Sequence, residues 1–350
     1  MLNVCMIGHG MMGAWHSEGL RRASCQLHTV VGRAPTATTA TTPAMPAAGR
    51  RPESTEEFAA RYGYKKWTTN LDEALSDPEV DVVIIAGPSE THADMALASL
   101  EHGKHTLVEI PIAMNLEGAE RVVNTAKERG LTVGVVHPMR FRPERTALTR
   151  RVHEGEERVT HTHGRFFIHR LQNVGATGLQ RSWTDNILWH HTTHLIDFGL
   201  WTISGGDMTT ADDRIRSIHG FYPPIEPRTG IPTEVVLVVE TNDDQTVVCT
   251  GSYYAGEYIY DTLAVSDRGE SYRIDERRST LTTSEGERRI PTEQENAELI
   301  AAEFVAAVEE GREPAVPGWS VLPAMRVLQR VQDDWDARYG KQLLPGRPVT

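Results

Sequence analysis

Three histidines crowd one short stretch, His190, His191 and His194. An imidazole exchanges its proton near neutral pH, so it can take one from a substrate hydroxyl. On a helix His190 and His194 share a face, and His191 points about 100° away from His190. Histidines at i and i+4 also suit zinc. A hydrolytic H-E-x-x-H site needs Glu in second place, where this chain has His191, and no cysteine pair or further ligand is apparent. The pattern points to proton transfer, with no metal expected.

A second set lies near residue 1. The apolar run Leu2 to Ile7 leads into Gly8-His9-Gly10-Met11-Met12-Gly13, and a helix is expected from Ala14 to Arg22. In G-x-G-x-x-G, Gly8 permits a tight turn, Gly10 lets the backbone approach a pyrophosphate, and Gly13 lets helix pack on strand. The diphosphate then sits at a helix N-terminus, beside Met11 and Met12, where free N–H groups favour negative charge. NAD-binding folds usually end the second strand in an acid that accepts from the ribose 2′-OH. Here that place reads Gly32-Arg33, with no carboxylate until Glu53. A neutral residue followed by arginine suits a 2′-phosphate, so NADP is the expected cofactor and NAD the alternative.

The elements that must position these groups fall into two patterns. Over residues 1–136 strands alternate with helices. Gln26 to Gly32, Asp81 to Ala86, Thr106 to Glu109 and Leu131 to Val136 read as strands. Between them lie a helix opened by the capping box Ser54-x-x-Glu57 and others at Thr91 to His102 and Leu116 to Arg129. This is the signature of an α/β Rossmann domain with a doubly wound parallel sheet. Ala34 to Pro52, built from Ala, Thr and Pro, reads as a surface loop starting beside the expected ribose site. Over residues 137–350, strands at Val159 to Ile168, Ile215 to Phe221, Glu234 to Glu240, Thr246 to Tyr253 and Tyr258 to Val265 accompany helices at Asn186 to Ile203, Glu293 to Glu310 and Val321 to Tyr339. That pattern is an α+β domain with a mainly antiparallel open sheet, for substrate binding and oligomerisation, its C-terminal helix free to pack back on the first domain.

The 350 residues are 39% hydrophobic and carry a formal charge of −12, which argues against nucleic acid or an anionic membrane as partner. An anionic substrate would need local arginines to overcome that field. No apolar stretch is long enough to span a bilayer, and the first apolar run is used by a strand rather than a leader. Cys5, Cys25 and Cys249 show no paired spacing; Cys5 and Cys249 lie in apolar runs, as inert thiols of a cytoplasmic protein would.

Further pieces resemble one family. Pro88-Ser89-Glu90-Thr91-His92, Glu101-His102-Gly103-Lys104-His105, Glu109-Ile110-Pro111, Arg140-Phe141-Arg142-Pro143 and His194-x-x-Asp197-x-x-x-Trp201 resemble the Gfo/Idh/MocA oxidoreductases. The resemblance implies that Gly87, Pro88, His92, Glu109 and Ile110 border the cofactor, with a cis Ile110–Pro111 bond in character. Most of the family carries Glu-Lys-Pro, whose lysine handles the substrate proton; here Ile110 replaces it. Most also carry Asp four residues before the histidine, where this chain has His190.

Those departures, with Phe166-Phe167, Arg181-Ser182-Trp183-Thr184-Asp185 and Leu188-Trp189-His190-His191, resemble a narrower branch of the family in protocatechuate 4,5-cleavage. It oxidises the cyclic hemiacetal of a carboxylated muconate semialdehyde to a 2-pyrone dicarboxylate lactone. The resemblance implies that one of His190 and His194 is the base and the other orients it. A dicarboxylate needs guanidinium forks, expected from Arg181, Arg170 and Arg140, with Trp183, Asp185 and His191 as further substrate contacts. Arg140 and Arg142 also suit salt bridges between domains. A homodimer or homotetramer through the C-terminal sheet is expected. The alternatives are a sugar or cyclitol dehydrogenase with a histidine base and a non-catalytic NADP-binding sensor.

Overall fold

Val82, Val83, Ile84 and Ile85 have no exposed surface, as a continuous apolar run requires of a strand covered on both faces. They form one strand of the first sheet in a computed structural model that describes residues 1–33, 53–173 and 186–340. This sheet has six parallel strands, β1 (Leu2–Ile7), β2 (Cys25–Val31), β3 (Lys66–Thr68), β4 (Val82–Ile85), β5 (His105–Val108) and β6 (Val133–Val135). Their order is β3-β2-β1-β4-β5-β6. The order reverses between β1 and β4, the switch point beyond whose carboxyl ends doubly wound sheets bind ligands. Both strands lead into glycine turns there, at Gly8 and Gly87, and Ala86 N donates to Ile7 O at 2.8 Å.

The helices of this unit are α1 (Met11–Leu20), α2 (Thr55–Tyr62), α3 (Leu71–Leu75), α4 (His92–Glu101) and α5 (Leu116–Arg129). The capping box expected at Ser54 and Glu57 is formed in both directions. Sequence periodicity does not show β3 and α3, which are too short to carry a period. The expected loop at 34–52 lies outside the described residues.

A second unit contains α6 (Pro143–His153), β7 (Val159–His169), α7 (His191–Ile203), α8 (Ala211–Arg214), β8 (Ile215–Phe221), β9 (Glu234–Thr241), β10 (Thr246–Ser252), β11 (Tyr254–Ser266), β12 (Ser271–Asp275), β13 (Thr280–Thr283), β14 (Gly286–Arg289) and α10 (Leu322–Tyr339). Its eight-stranded sheet runs β14-β13-β12-β11-β7-β10-β9-β8, antiparallel except where β10 joins β7. The strands β12 to β14 are polar and short, so they pass as loops in the sequence. The chain then returns to the first unit with Ala297–Gly318, which includes most of α9 (Glu293–Glu310). There Val135 N donates to Val316 O at 3.1 Å.

The segment ahead of α7 departs from expectation. The helix begins at His191, with His190 as its N-cap, rather than at Asn186. A single helical turn does start at Asn186, whose backbone O accepts from His190 N at 2.9 Å and whose Oδ1 caps the turn by accepting from Leu188 N at 3.0 Å and Trp189 N at 3.2 Å. The ladder then slips by one residue, Thr192 N donating to Ile187 O at 3.1 Å. Ile187, Leu188 and Trp189 are then buried, and Trp189 Nε1 donates to Gln332 Oε1 at 3.0 Å. This turn sets where the histidines start. Cys5 and Cys249 are both buried as expected, and burial pushes the Cys5 thiol up to about 12.

Asn186→Ala should remove the turn's side-chain acceptor and cost about 1 kcal/mol, the usual worth of such a cap. Urea denaturation checks the loss; nicotinamide dinucleotide affinity should be unchanged.

Candidate active site

The fingerprint glycines divide by what surrounds them. Gly8 has φ +100°, and a Cβ on it would fall 2.3 Å from Ala86 O. A Cβ on Gly13 would fall 2.3 Å from Gly8 O. The fold itself thus demands both. Gly10 is different, because a Cβ there would meet nothing within 4 Å. It is also the N-cap of α1 and offers no side-chain cap to the free N–H groups of the first turn. Open space over uncapped donors fits a dinucleotide diphosphate. Met11 is exposed and Met12 half-buried at the same helix end.

Around this cradle several expected cofactor contacts turn out to brace protein. A Cβ on Gly32 would lie 1.8 Å from Thr55 Oγ1, so the glycine admits the start of α2. Thr55 Oγ1 in turn lies 3.2 Å from His9 Nε2. Arg33 is exposed. Burial pushes the His9 pKa down while the nearby Glu53 carboxylate pushes it up. Glu53, the first carboxylate after β2, is itself paired, accepting from Arg61 Nη2 at 2.7 Å.

His92, expected at the cofactor, is buried; its ring nitrogens face Pro111 O at 2.8 Å and Gly87 O at 3.1 Å. It ties two loops together and has no ring nitrogen left for a ligand. Pro88 is exposed in one of those loops. Glu109 is likewise buried, with Oε1 2.6 Å from His16 Nε2. Ile110 is buried and its bond to Pro111 is cis. Lys104, the lysine nearest that position, spends its ammonium on Asp77 O and Val80 O, so it does not replace the family lysine.

In the second unit α7 carries the histidines. The rings of His190 and His191 lie 4.3 Å apart. His191 stacks on Phe166 of β7 at 3.5 Å, and its Nδ1 lies 3.0 Å from Tyr253 Oη. One face and one nitrogen of its ring are thus taken up by packing. Burial pushes its pKa well below 6.5, helped by His190, Arg170 and His194. Arg170 does join this cluster, its guanidinium 5.9 Å over the Tyr253 ring.

His194 is also pushed well below 6.5, first by burial and then by His137, His190 and Arg145. Its Nδ1 has no hydrogen-bond partner among the described residues. His137, which belongs to no motif in the sequence, stands edge-on to it at 5.7 Å. His137 Nδ1 lies 3.2 Å from Asp197 Oδ2.

Arg140 must be corrected. Its Nε and Nη2 fork onto Asp197 at 2.9 and 2.5 Å, and Nη1 and Nη2 donate to Ser320 Oγ and O at 2.9 and 3.1 Å. Every nitrogen is engaged, so no fork remains for a substrate carboxylate. Both its partners and those of Arg142 lie within the second unit, so neither arginine makes the interdomain bridge considered above. Arg142 and Arg145 both bind the buried Glu276. Arg181, Trp183 and Asp185 lie outside the described residues.

Among the described residues, the grouping close enough to share an ion is His28, Asp77 and Glu79, and Lys66 Nζ already lies 2.7 Å from Asp77 Oδ2. No helix of the described residues is long and apolar enough to cross a membrane.

Comparison with known proteins agrees with this layout. Residues 2–137 match the model of an oxidoreductase family with an NAD-binding Rossmann fold, GFO_IDH_MocA, and residues 143–259 match that of bacterial oxidoreductase C-terminal regions. The chain is 29% identical over 343 residues to 4-carboxy-2-hydroxymuconate-6-semialdehyde dehydrogenase of Sphingobium sp. SYK-6, covering 95% of this chain and 98% of that one. It is 37% identical over 101 residues to an NAD-dependent scyllo-inositol 2-dehydrogenase of Bacillus subtilis, covering 29% and 30% of the two chains. A levoglucosan dehydrogenase solved with NADH and levoglucosan shares the fold at a TM-score of 0.74 and 18% identity, over 95% of this chain and 96% of that one.

The glycines make a clean test. Gly10→Val should fold normally yet lower nicotinamide dinucleotide affinity by more than about tenfold, since only the ligand needs that space. Gly13→Val should instead lose stability. Fluorescence titration and thermal unfolding read the two effects.

Proposed function

The chain belongs to the Gfo/Idh/MocA family of oxidoreductases, and from that premise we propose that it oxidises the cyclic hemiacetal of a carboxylated muconate semialdehyde to a 2-pyrone dicarboxylate lactone, with NADP as acceptor. The observation that carries this reading is the half-buried His194, held neutral beside His190 and His137, in a chain whose family lysine is Ile110. Similarity over nearly the full length of the semialdehyde dehydrogenase supports the substrate class.

When bound, a nicotinamide supplies the acceptor for the hydride that leaves the anomeric carbon. His194 is the base: a neutral imidazole accepts the hydroxyl proton at Nδ1, and the C–O bond becomes the lactone carbonyl. Conjugation stabilises that product, so an imidazole suffices where most of the family uses a lysine. His190 orients the reacting hydroxyl. Arg170 pairs a substrate carboxylate, and Arg181, Trp183 and Asp185 keep their proposed substrate contacts. Gly8, Gly10, Met11, Met12 and Gly13 hold the dinucleotide.

Arg33 carries the preference for NADP. A second reading, NAD, is favoured by Glu53, whose charge reaches His9 between the first two glycines. Cross-strand partners Phe221 and Val236 are 50% and 42% exposed on β8 and β9, which supports assembly into a homodimer or homotetramer through this sheet.

Nicotinamide absorbance with the protocatechuate ring-fission product tests the reaction. Turnover of neutral polyols alone would favour a sugar dehydrogenase, and cofactor binding without any reduction a sensor. His194→Ala should lower kcat roughly 10²–10⁴-fold with cofactor affinity unchanged. The base must be unprotonated, so kcat/KM should be flat through neutrality and fall on acidification only below 6.5, with that limb lost in the variant. Stability should fall over the same range, because unfolded imidazoles take protons near 6.5 that the folded His191 and His194 refuse.

Arg33→Ala should weaken NADP about tenfold, as loss of a charge-assisted hydrogen bond does, and leave NAD unchanged. Equal effects on the two cofactors would favour the Glu53 reading.

A further inference from the structure

We propose that Arg145 binds a carboxylate of the substrate, as the cation left over in a buried cluster of two arginines and one glutamate. The inference rests on the reading above that the substrate is an anionic hemiacetal. Arg142 is the N-cap of α6 and Arg145 lies in its first turn, so both guanidinium groups reach the turn after β12. There they share one carboxylate: Arg142 Nη2 donates to Glu276 Oε2, and Arg145 Nη2 to Glu276 Oε1. The side chains of Arg142 and Arg145 are each 2% exposed and that of Glu276 3%.

Within this hydrogen-bonded set two guanidinium groups share one carboxylate, and a guanidinium does not give up its proton in a protein. The two arginines differ in what else they meet. Arg142 also donates from Nη1 to Pro291 O at 2.5 Å. Arg145 Nη2 donates to Thr262 Oγ1 at 2.7 Å, but its Nε and Nη1, both buried, have no hydrogen-bond partner among the described residues. Buried donors of a charged group are rarely left without an acceptor.

The Arg145 side chain packs against the helix that carries the histidines. The Arg145 guanidinium sits 4.8 Å over the Phe198 ring, and Phe198 follows His194 by one helical turn on α7. Tyr260 continues the line, packing edge-on against Phe166 at 5.2 Å, and Phe166 stacks on His191. The charge of Arg145 is felt at both ends, among the causes that hold down His194 and act on Tyr260. A carboxylate that accepts from Arg145 would neutralise the cluster and sit by the proposed base. Arg140, by contrast, has no such capacity, because Asp197 already balances it.

Titration with benzene-1,3-dicarboxylate, a stable planar diacid, reads binding without turnover. The wild-type chain should bind it, and Arg145→Lys and Arg145→Met should each weaken it by more than about tenfold, the scale of a lost charge-assisted contact. Thermal unfolding shows whether the variants fold. Should neither fold, a wild-type crystal grown with the diacid decides, with a carboxylate oxygen expected in hydrogen-bond range of Arg145 Nε or Nη1. No binding by the wild type, equal binding by a folded variant, or both carboxylates placed elsewhere overturns the assignment. Turnover separates the two readings: a chain that binds the diacid through Arg145 but leaves the hemiacetal untouched sinks only the reaction, and one that oxidises the hemiacetal with Arg145 indifferent sinks only the anchor.

Discussion

Asp197 has no exposed surface, and its carboxylate organises the histidine face of α7. One edge of Arg140 lies along it in a two-bond fork, and His137 approaches the same oxygen that Arg140 Nε uses. Removing either member of such a buried ion pair leaves an uncompensated charge and typically costs about 3–5 kcal/mol. The bonds pin the segment from His137 to Arg140 against the helix. That segment leads straight into α6, so the same carboxylate also governs where Arg142 and Arg145 stand relative to His194.

Charge in this molecule is arranged against its own total. The chain is acidic overall, at −12, yet Arg145 adds to burial in pushing the His194 pKa down and so favouring its neutral ring. A neutral imidazole is the form a general base requires. The same surroundings suit an anion, which a uniformly acidic site would repel. Short-range pairing, not net charge, sets the chemistry here, because buried charges are poorly screened.

In the Rossmann unit the loss of the family lysine is not repaired from nearby, since Lys104 is spent on backbone carbonyls. Glu109 and His92, which motif position assigns to the cofactor, instead pair with His16 and with the carbonyls of two loops. They tie α1 and the turn after β4 to the loop after β5. A motif records where a residue stands in the chain; it does not say which of its atoms are already occupied.

Much of this protein was legible in the residues alone. Apolar runs and capping signals act over a few residues, so they located the parallel strands, the capping box at Ser54 and the glycine turn. The same local signals failed where the backbone ladder slips by one residue, just after the turn that Asn186 caps, and where polar strands such as β12 to β14 carried no apolar period. Amino-acid order by itself determined the two sheet types, the glycine fingerprint and the presence of Ile110 where a lysine is usual. Tertiary structure alone decided which arginines were spent. Arg140 meets Asp197 across 57 residues and Arg145 meets Glu276 across 131, and a charge's partner is set by proximity in space, which no spacing along the chain reports.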